Sequence, residues 1–100
     1  MDLKPGTRLR SAVCATEVVV VRKPTQEVEL RCGGAPMLPP GVEGDGRLDA
    51  THGNGTQMGK RYADADSGIE VLCTKPGEGS LSLGDVPLLQ KDAKALPSSD

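Results

Sequence analysis

The sequence predicts an all-β protein: two tandem small β-hairpin units with pseudo-two-fold packing, joined by a long Gly-rich connecting loop. Three observations lead there. Apolar residues recur with the period of two that marks a half-buried strand, and the one helical signal is a marginal single turn at Asp92 to Leu96. Thirteen glycines and eight prolines among 100 residues commit much of the chain to turns. One strand–turn–strand stretch also returns, in weaker form, in the second half of the chain.

The elements follow in order. Residues 1–7 are a polar lead-in with a turn at Lys4-Pro5-Gly6-Thr7. Residues 8–14 alternate loosely and form a short strand. Residues 17–22 hold four consecutive valines, which are stiff at χ1 and favour extended backbone; so continuous an apolar run predicts burial on both faces. Lys23-Pro24-Thr25-Gln26 is a turn. Residues 27–32 then alternate strictly, with Val28, Leu30 and Cys32 on one face and Glu27, Glu29 and Arg31 on the other. Segments 17–22 and 27–32 are therefore expected to pair as an antiparallel hairpin, which ends hard on Gly33-Gly34.

Residues 1–37 make the first unit. Residues 38–59 are a Gly/Pro-rich connection with a tight-turn signal at Gly53-Asn54-Gly55. A structureless loop of that length is unusual in a compact domain. Residues 60–90 make the second unit: Ile69, Val71 and Cys73 alternate with Glu70, Leu72 and Thr74. Lys75 to Gly79 form a turn, residues 80–83 a strand, Gly84-Asp85 a turn, and residues 86–90 a last short strand. Residues 91–100 are a polar C-terminal tail. The whole is expected to be one compact domain.

Composition narrows the function classes. There is no Phe or Trp, and Tyr62 is the single aromatic residue, so the core rests on Val, Leu, Ile, Met and Cys. Such a core is thin at this size, which points to a staple, a metal or a partner chain. A net charge of −2 with mixed signs gives little drive toward nucleic acid or an anionic membrane. No stretch has the length of a membrane span. The N-terminal residues show no apolar signal region, and three cysteines is an odd number. The expectation is a cytoplasmic protein with reduced thiols.

The repeat is read by sliding the chain 51 positions on itself, which lays residues 17–37 on 68–88 without a gap. Val20 then meets Val71, Leu30 meets Leu81, Gly33 meets Gly84 and Pro36 meets Pro87. Upstream, Arg10 meets Arg61, Ala12 meets Ala63, and Thr16 meets Ser67. Each unit is too short to bury its own apolar face, so the halves are expected to pack on each other.

Within the first unit, Ser11-Ala12-Val13-Cys14, the valine strand and Cys32-Gly33-Gly34-Ala35-Pro36-Met37 follow one another in a suggestive order. This arrangement resembles desulforedoxin-like domains, which read aromatic-x-C-x-x-C-G, a Val-rich strand, a Gly-rich turn, a short strand and C-C-G-x-x-M. Leu9 stands at the aromatic position, Ser11 and Cys14 at the C-x-x-C, Ala15 at its glycine, and Cys32 and Gly33 at the C-C. In the second unit Tyr62 stands at the aromatic position, Asp64 and Ser67 at the C-x-x-C, Gly68 at the glycine, and Leu83-Gly84 at the C-C. The resemblance implies a rubredoxin-like or zinc-ribbon-like hairpin fold. Four cysteines bind one iron or zinc in that family; here two of the four positions keep cysteine in the first unit and none does in the second.

Candidate sites are few. Cys14, Cys32, Cys73 and His52 could supply three thiolates and an imidazole to zinc or iron. No short-spaced cysteine pair supports that set, and Cys32 and Cys73 lie on apolar strand faces where cysteine behaves as a small hydrophobe. His52 beside a cysteine would make a base and nucleophile, but nothing near it in sequence orients it. Asp64, Asp66 and Glu70 with Ser67 lack the spacing of a calcium loop and read as a polar turn. Arg8, Arg10, Arg22, Lys23, Lys60 and Arg61 could form a basic patch, without aromatics to stack bases. The reading is a non-catalytic accessory or interaction protein, acting as a small subunit or a homodimer and needing no cofactor. The alternative is a small zinc, iron or electron-transfer module on Cys14, Cys32 and Cys73.

Overall fold

The computed structural model describes residues 3–42, 44, 47–84 and 86–91. Its strands are β1 (Arg8–Arg10), β2 (Glu17–Arg22), β3 (Leu30–Cys32), β4 (Ala35–Pro36), β5 (Arg61–Ala63), β6 (Glu70–Lys75), β7 (Leu81–Leu83), β8 (Val86–Pro87) and β9 (Leu89–Lys91), with one 3-10 turn at Ala50–His52. The protein is essentially all-β, as the period-two alternation and the turn-rich composition predict. Two antiparallel sheets form, one in the order β1-β2-β6-β5-β9 and one in the order β4-β3-β7-β8. The expected turn at Asp92 to Leu96 lies outside the described residues. Among the described residues no helix is long and apolar enough to cross a membrane.

Both sheets feed one apolar cluster. Val18, Val20, Val71 and Cys73 enter it from the first sheet, Leu30, Cys32 and Leu81 from the second, with Ile69, Met37 and Leu88 from the connections. Alternation in 27–32 places Leu30 and Cys32 inside while Glu27 and Glu29 stay exposed. The valine run is not buried on both faces. Val18 and Val20 point inward, Val19 is half-buried, and Val21 is 43% exposed. Only one side of the first sheet meets the second sheet, so the other side keeps to the solvent.

The expected hairpin of 17–22 with 27–32 does not form. β2 pairs with β1 and β6, whereas β3 pairs with β4 and β7. A two-stranded hairpin would have set Val18, Val20, Leu30 and Cys32 on one face with nothing to cover them. Residues 23–29 instead carry the chain from one sheet to the other, so the two apolar faces meet. The segment 86–90 likewise divides. Pro87 cannot donate to a ladder and sits in a two-residue edge strand, Leu88 turns into the core, and β9 pairs with β5 in the other sheet.

The halves join through β2–β6 and β3–β7, and both registers are symmetric. Val19 faces Leu72 at the centre of one ladder, and Arg31 faces Ser82 at the centre of the other. β1–β2 pairs Leu9 with Val18, and β5–β6 pairs Tyr62 with Val71, 53 positions further on. β3–β4 and β7–β8 correspond at 51 positions, from Cys32–Ala35 to Leu83–Val86. The gapless slide of 51 therefore fails for the first two strands of each half. The link from β6 to β7 is two residues shorter than the link from β2 to β3. Val20 stands opposite Cys73 rather than Val71 in this correspondence, and Arg10 opposite Ala63.

The connection 38–59 is not structureless. Leu38 exchanges backbone hydrogen bonds with Arg10 at 2.7 and 2.8 Å, and Thr56 N donates to Gly77 O at 3.0 Å. Asp49 N donates to Gly33 O, and Ser80 N to His52 O. Turns held at both ends in this way lay the connection across β3 and the β6–β7 link.

Deleting buried methyl groups leaves a cavity, so Leu30→Ala is expected to lower stability by about 2–5 kcal/mol in urea unfolding. Val21→Ala on the open face should change it by no more than about 0.5 kcal/mol. Equal losses for the two variants would contradict the one-sided burial of the valine strand.

Candidate functional site

The turn after β1 builds the site. Ser11 N donates to Thr16 O at 2.8 Å, which closes residues 11–16 into a loop. Inside it, Ser11 Oγ accepts the N–H groups of Val13 and Cys14, both at 3.1 Å. Cys14 is half-buried at the loop's far side. The same turn recurs in the second half, where Asp64 N donates to Ile69 O and Ser67 N donates to Asp64 Oδ2 at 3.0 Å. Serine and aspartate oxygens thus accept the turn's N–H at the equivalent positions Ser11 and Asp64.

The structure brings Cys14 and Cys32 together. Their Sγ atoms are 3.8 Å apart. Cys32 ends β3 and is wholly buried, immediately before Gly33 and Gly34, whose φ values of +66° and +89° suit glycine. Cys14 Sγ lies 3.2 Å from Ser11 Oγ and 3.3 Å from Thr16 Oγ1, and it accepts Gly79 N–H at 3.3 Å. Thr16 Oγ1 is in turn 2.8 Å from Thr56 Oγ1, which accepts Gly77 N–H at 3.2 Å. Ser11, Thr16 and Thr56 are buried, so this ring of hydroxyls is satisfied internally.

The second half supplies the cover. A Cβ on Gly77 would run into Thr16 Oγ1 and sit 3.0 Å from Cys14 Sγ; one on Gly79 would sit 2.8 Å from Gly33 N and 3.1 Å from Cys32 Sγ. Glycine at 77 and 79 is what lets backbone, with its N–H donors, come this close to sulfur.

The arrangement separates the thiols electrostatically. Burial pushes the Cys14 thiol up. The Ser11 and Thr16 hydroxyls, with the backbone N–H groups of Thr16 and Gly79, outweigh that and bring it down from 9.0 to about 7. Burial, then the neighbouring Cys14 charge, pushes Cys32 up to about 12 against the same hydroxyls. Burial also raises Cys73, although Thr56 and the Lys75 backbone oppose it, and Cys73 Sγ donates to Lys75 O at 3.2 Å.

His52 does not join the thiols in a ligand group. Its ring lies beside Gly34, and its carbonyl accepts Ser80 N–H. Among the described residues no three His, Cys, Asp or Glu side chains gather to hold a metal ion. Beside Cys32, a Cβ on Gly33 would be 2.6 Å from Val13 Cγ2 and 2.7 Å from Leu48 Cδ1. That corner is filled by apolar side chains, so the residues present offer two thiols and hydroxyls rather than four thiolates.

The other candidates disperse. Asp64 is engaged by Ser67 N–H, and buried Glu70 accepts from Arg61 Nη1 at 3.4 Å. Arg8 and Arg10 lie on the edge strand β1, whereas Arg61 lies on β5, with β2 and β6 between. The hydroxyl ring and the glycine cover carried only weak signals in sequence: Thr16 and Thr56 stand far apart, and Gly77-Glu78-Gly79 reads as an ordinary turn. No protein-family model matches the chain, and no curated protein or solved structure matches it.

Alkylation by iodoacetamide with peptide mapping tests the site. Cys14 should react in the folded chain with a half-maximal rate near pH 7, while Cys32 stays protected until unfolding. Because the folded value lies below the unfolded one, Cys14 also contributes stability that is present above pH 9 and lost as pH falls through about 7. A Cys14 profile centred near the ordinary thiol value would remove the role of the donors.

Proposed function

We propose that this protein is a non-catalytic interaction protein, acting as a small subunit of a larger assembly or as a homodimer, built from two degenerate desulforedoxin-like units. The symmetric β2–β6 and β3–β7 registers support the duplicated plan. The observation that carries the interaction reading is the pair of exposed apolar side chains in segment 86–89, which flank the buried Leu88. Val86 is 56% exposed and Leu89 74%. They belong to β8 and β9, which among the described residues are edge strands of the two sheets, the kind of strand that offers backbone groups for pairing.

Two grooves adjoin this segment. Val28, Leu83 and Val86 line one; Ala63, Ile69 and Leu89 line the other; Asp64 belongs to both. Their rims carry Glu29 and Asp66 together with Arg31 and Arg22. A face with apolar centres and both signs of charge can meet a second copy of itself, and a second copy of the chain is the occupant this reading takes.

The alternative is a zinc, iron or electron-transfer module on Cys14, Cys32 and Cys73. The 3.8 Å approach of two thiols favours it, and the closed corner at Gly33 weighs against the metal. Its requirement is about one zinc or iron per chain, lost in Cys14→Ser.

Light scattering across a concentration series decides the interaction reading. The native chain should form a dimer, and a Val86→Asp/Leu89→Asp variant should remain monomeric with an unchanged circular dichroism spectrum. A heavier hetero-assembly purified from the source would place the chain as a small subunit instead. A native chain that stays monomeric and co-purifies with no protein would overturn the proposal.

A further inference from the structure

We propose that Cys14 and Cys32 form a reversible dithiol–disulfide couple that exchanges two electrons with low-molecular-weight disulfides, Cys14 attacking and Cys32 resolving. This rests on the thiol reading of the site and not on the docking segment 86–89; it needs no metal.

The geometry separates the two roles. An attacking thiol must be reachable and present as thiolate, whereas a resolving thiol need only reach its neighbour. Cys14 is half-buried and Cys32 is wholly buried. At 3.8 Å the two sulfurs are in van der Waals contact and must close to about 2.05 Å to bond. Around Cys14 Sγ stand Gly79 N–H and the Ser11 and Thr16 hydroxyls. Ser11 Oγ already accepts two backbone N–H groups, so its own proton is free to turn toward a thiolate at Cys14. Thr56 can donate to Thr16 while Thr16 donates to sulfur, which extends the same polarity one group further. These donors surround Cys14 more completely than Cys32. Cys73 Sγ donates instead to Lys75 O at 3.2 Å.

The chemistry balances in two steps. The Cys14 thiolate attacks one sulfur of a small disulfide; a Cys14–S–S–R bond forms and one small thiolate leaves. Cys32 then gives up its proton, directly or through solvent, to that leaving thiolate. Its sulfur attacks Cys14 Sγ, the mixed disulfide breaks, and a second small thiolate leaves and takes the proton lost when Cys14 ionised. The protein loses two protons and two electrons, and the small disulfide becomes two thiols. The mixed disulfide has no charge on Cys14, so one of the causes that keeps Cys32 protonated disappears at the step that needs its thiolate.

The test is to treat the reduced, folded, full-length chain with glutathione disulfide, quench with acid at intervals, alkylate and map the peptides. The expected result is a transient glutathione adduct on Cys14, followed by a Cys14–Cys32 disulfide with Cys73 still alkylated. Cys32→Ser should trap the Cys14 adduct, and Cys14→Ser should abolish both species. The time course of the native chain carries the same information if the buried serine prevents folding. A lasting Cys14 adduct in the native chain, a disulfide that includes Cys73, or reaction of Cys14 only after denaturation would each overturn the proposal. None of these outcomes depends on whether the chain forms a dimer.

Discussion

The pairing of β2 with β6 and of β3 with β7 is the constraint on which the remaining structure depends. Each half offers short strands and a few aliphatic side chains, too little to bury an apolar face alone. Laying the halves together makes β2–β6 the centre of one sheet and β3–β7 the centre of the other. The short strands β1, β4, β8 and β9 then fall at the edges, where two or three residues suffice. Leu30, Cys32 and Leu81 face Val18, Val20 and Val71 only because the chain changes sheet at residues 23–29 rather than folding back as a hairpin.

The thiol site is a product of the same interlock. Cys14 and Cys32 come from the first half, but the N–H that reaches Cys14 Sγ belongs to Gly79, and Thr56 enters from the connection. A half on its own would hold two thiols without their cover. The burial of Ser11, Thr16 and Thr56 is sustainable because each is hydrogen-bonded within the ring. What joins the halves thus also sets the unequal ionisation of the two sulfurs.

Much of the fold was legible in residue pattern. The valine strand, the alternation up to Cys32 and the glycine stop each matched a local rule, and Leu30 and Cys32 proved to be core positions as the alternation required. Sheet membership was not legible, because the period of two says which side of a strand is apolar and not which strand lies beside it. The 17–22/27–32 hairpin failed on that point. The division of 86–90 was encoded by Pro87, whose missing donor confines it to an edge, but the crossing at Leu88 depends on a sheet that sequence alone does not locate. At the site, Cys14 and Cys32 were visible as chemistry-bearing residues. Ser11 and Thr16 lie beside Cys14 in sequence, but the 3.8 Å approach of Cys32 and the hydroxyl of Thr56 come from segments more than ten residues away, so no local motif announced the site. His52 shows the converse: a conspicuous residue type in a glycine-rich loop that lends the structure its backbone carbonyl.

Residue-resolved hydrogen exchange on the full-length chain tests the interlocked halves most directly. If the halves stand only together, the ladder amides of β2, β6, β3 and β7 share the slowest exchange and open in one cooperative step. Protection that persists in β1–β2 after β5–β6 has exchanged, or the reverse, would mean that one half folds without the other and would contradict the account.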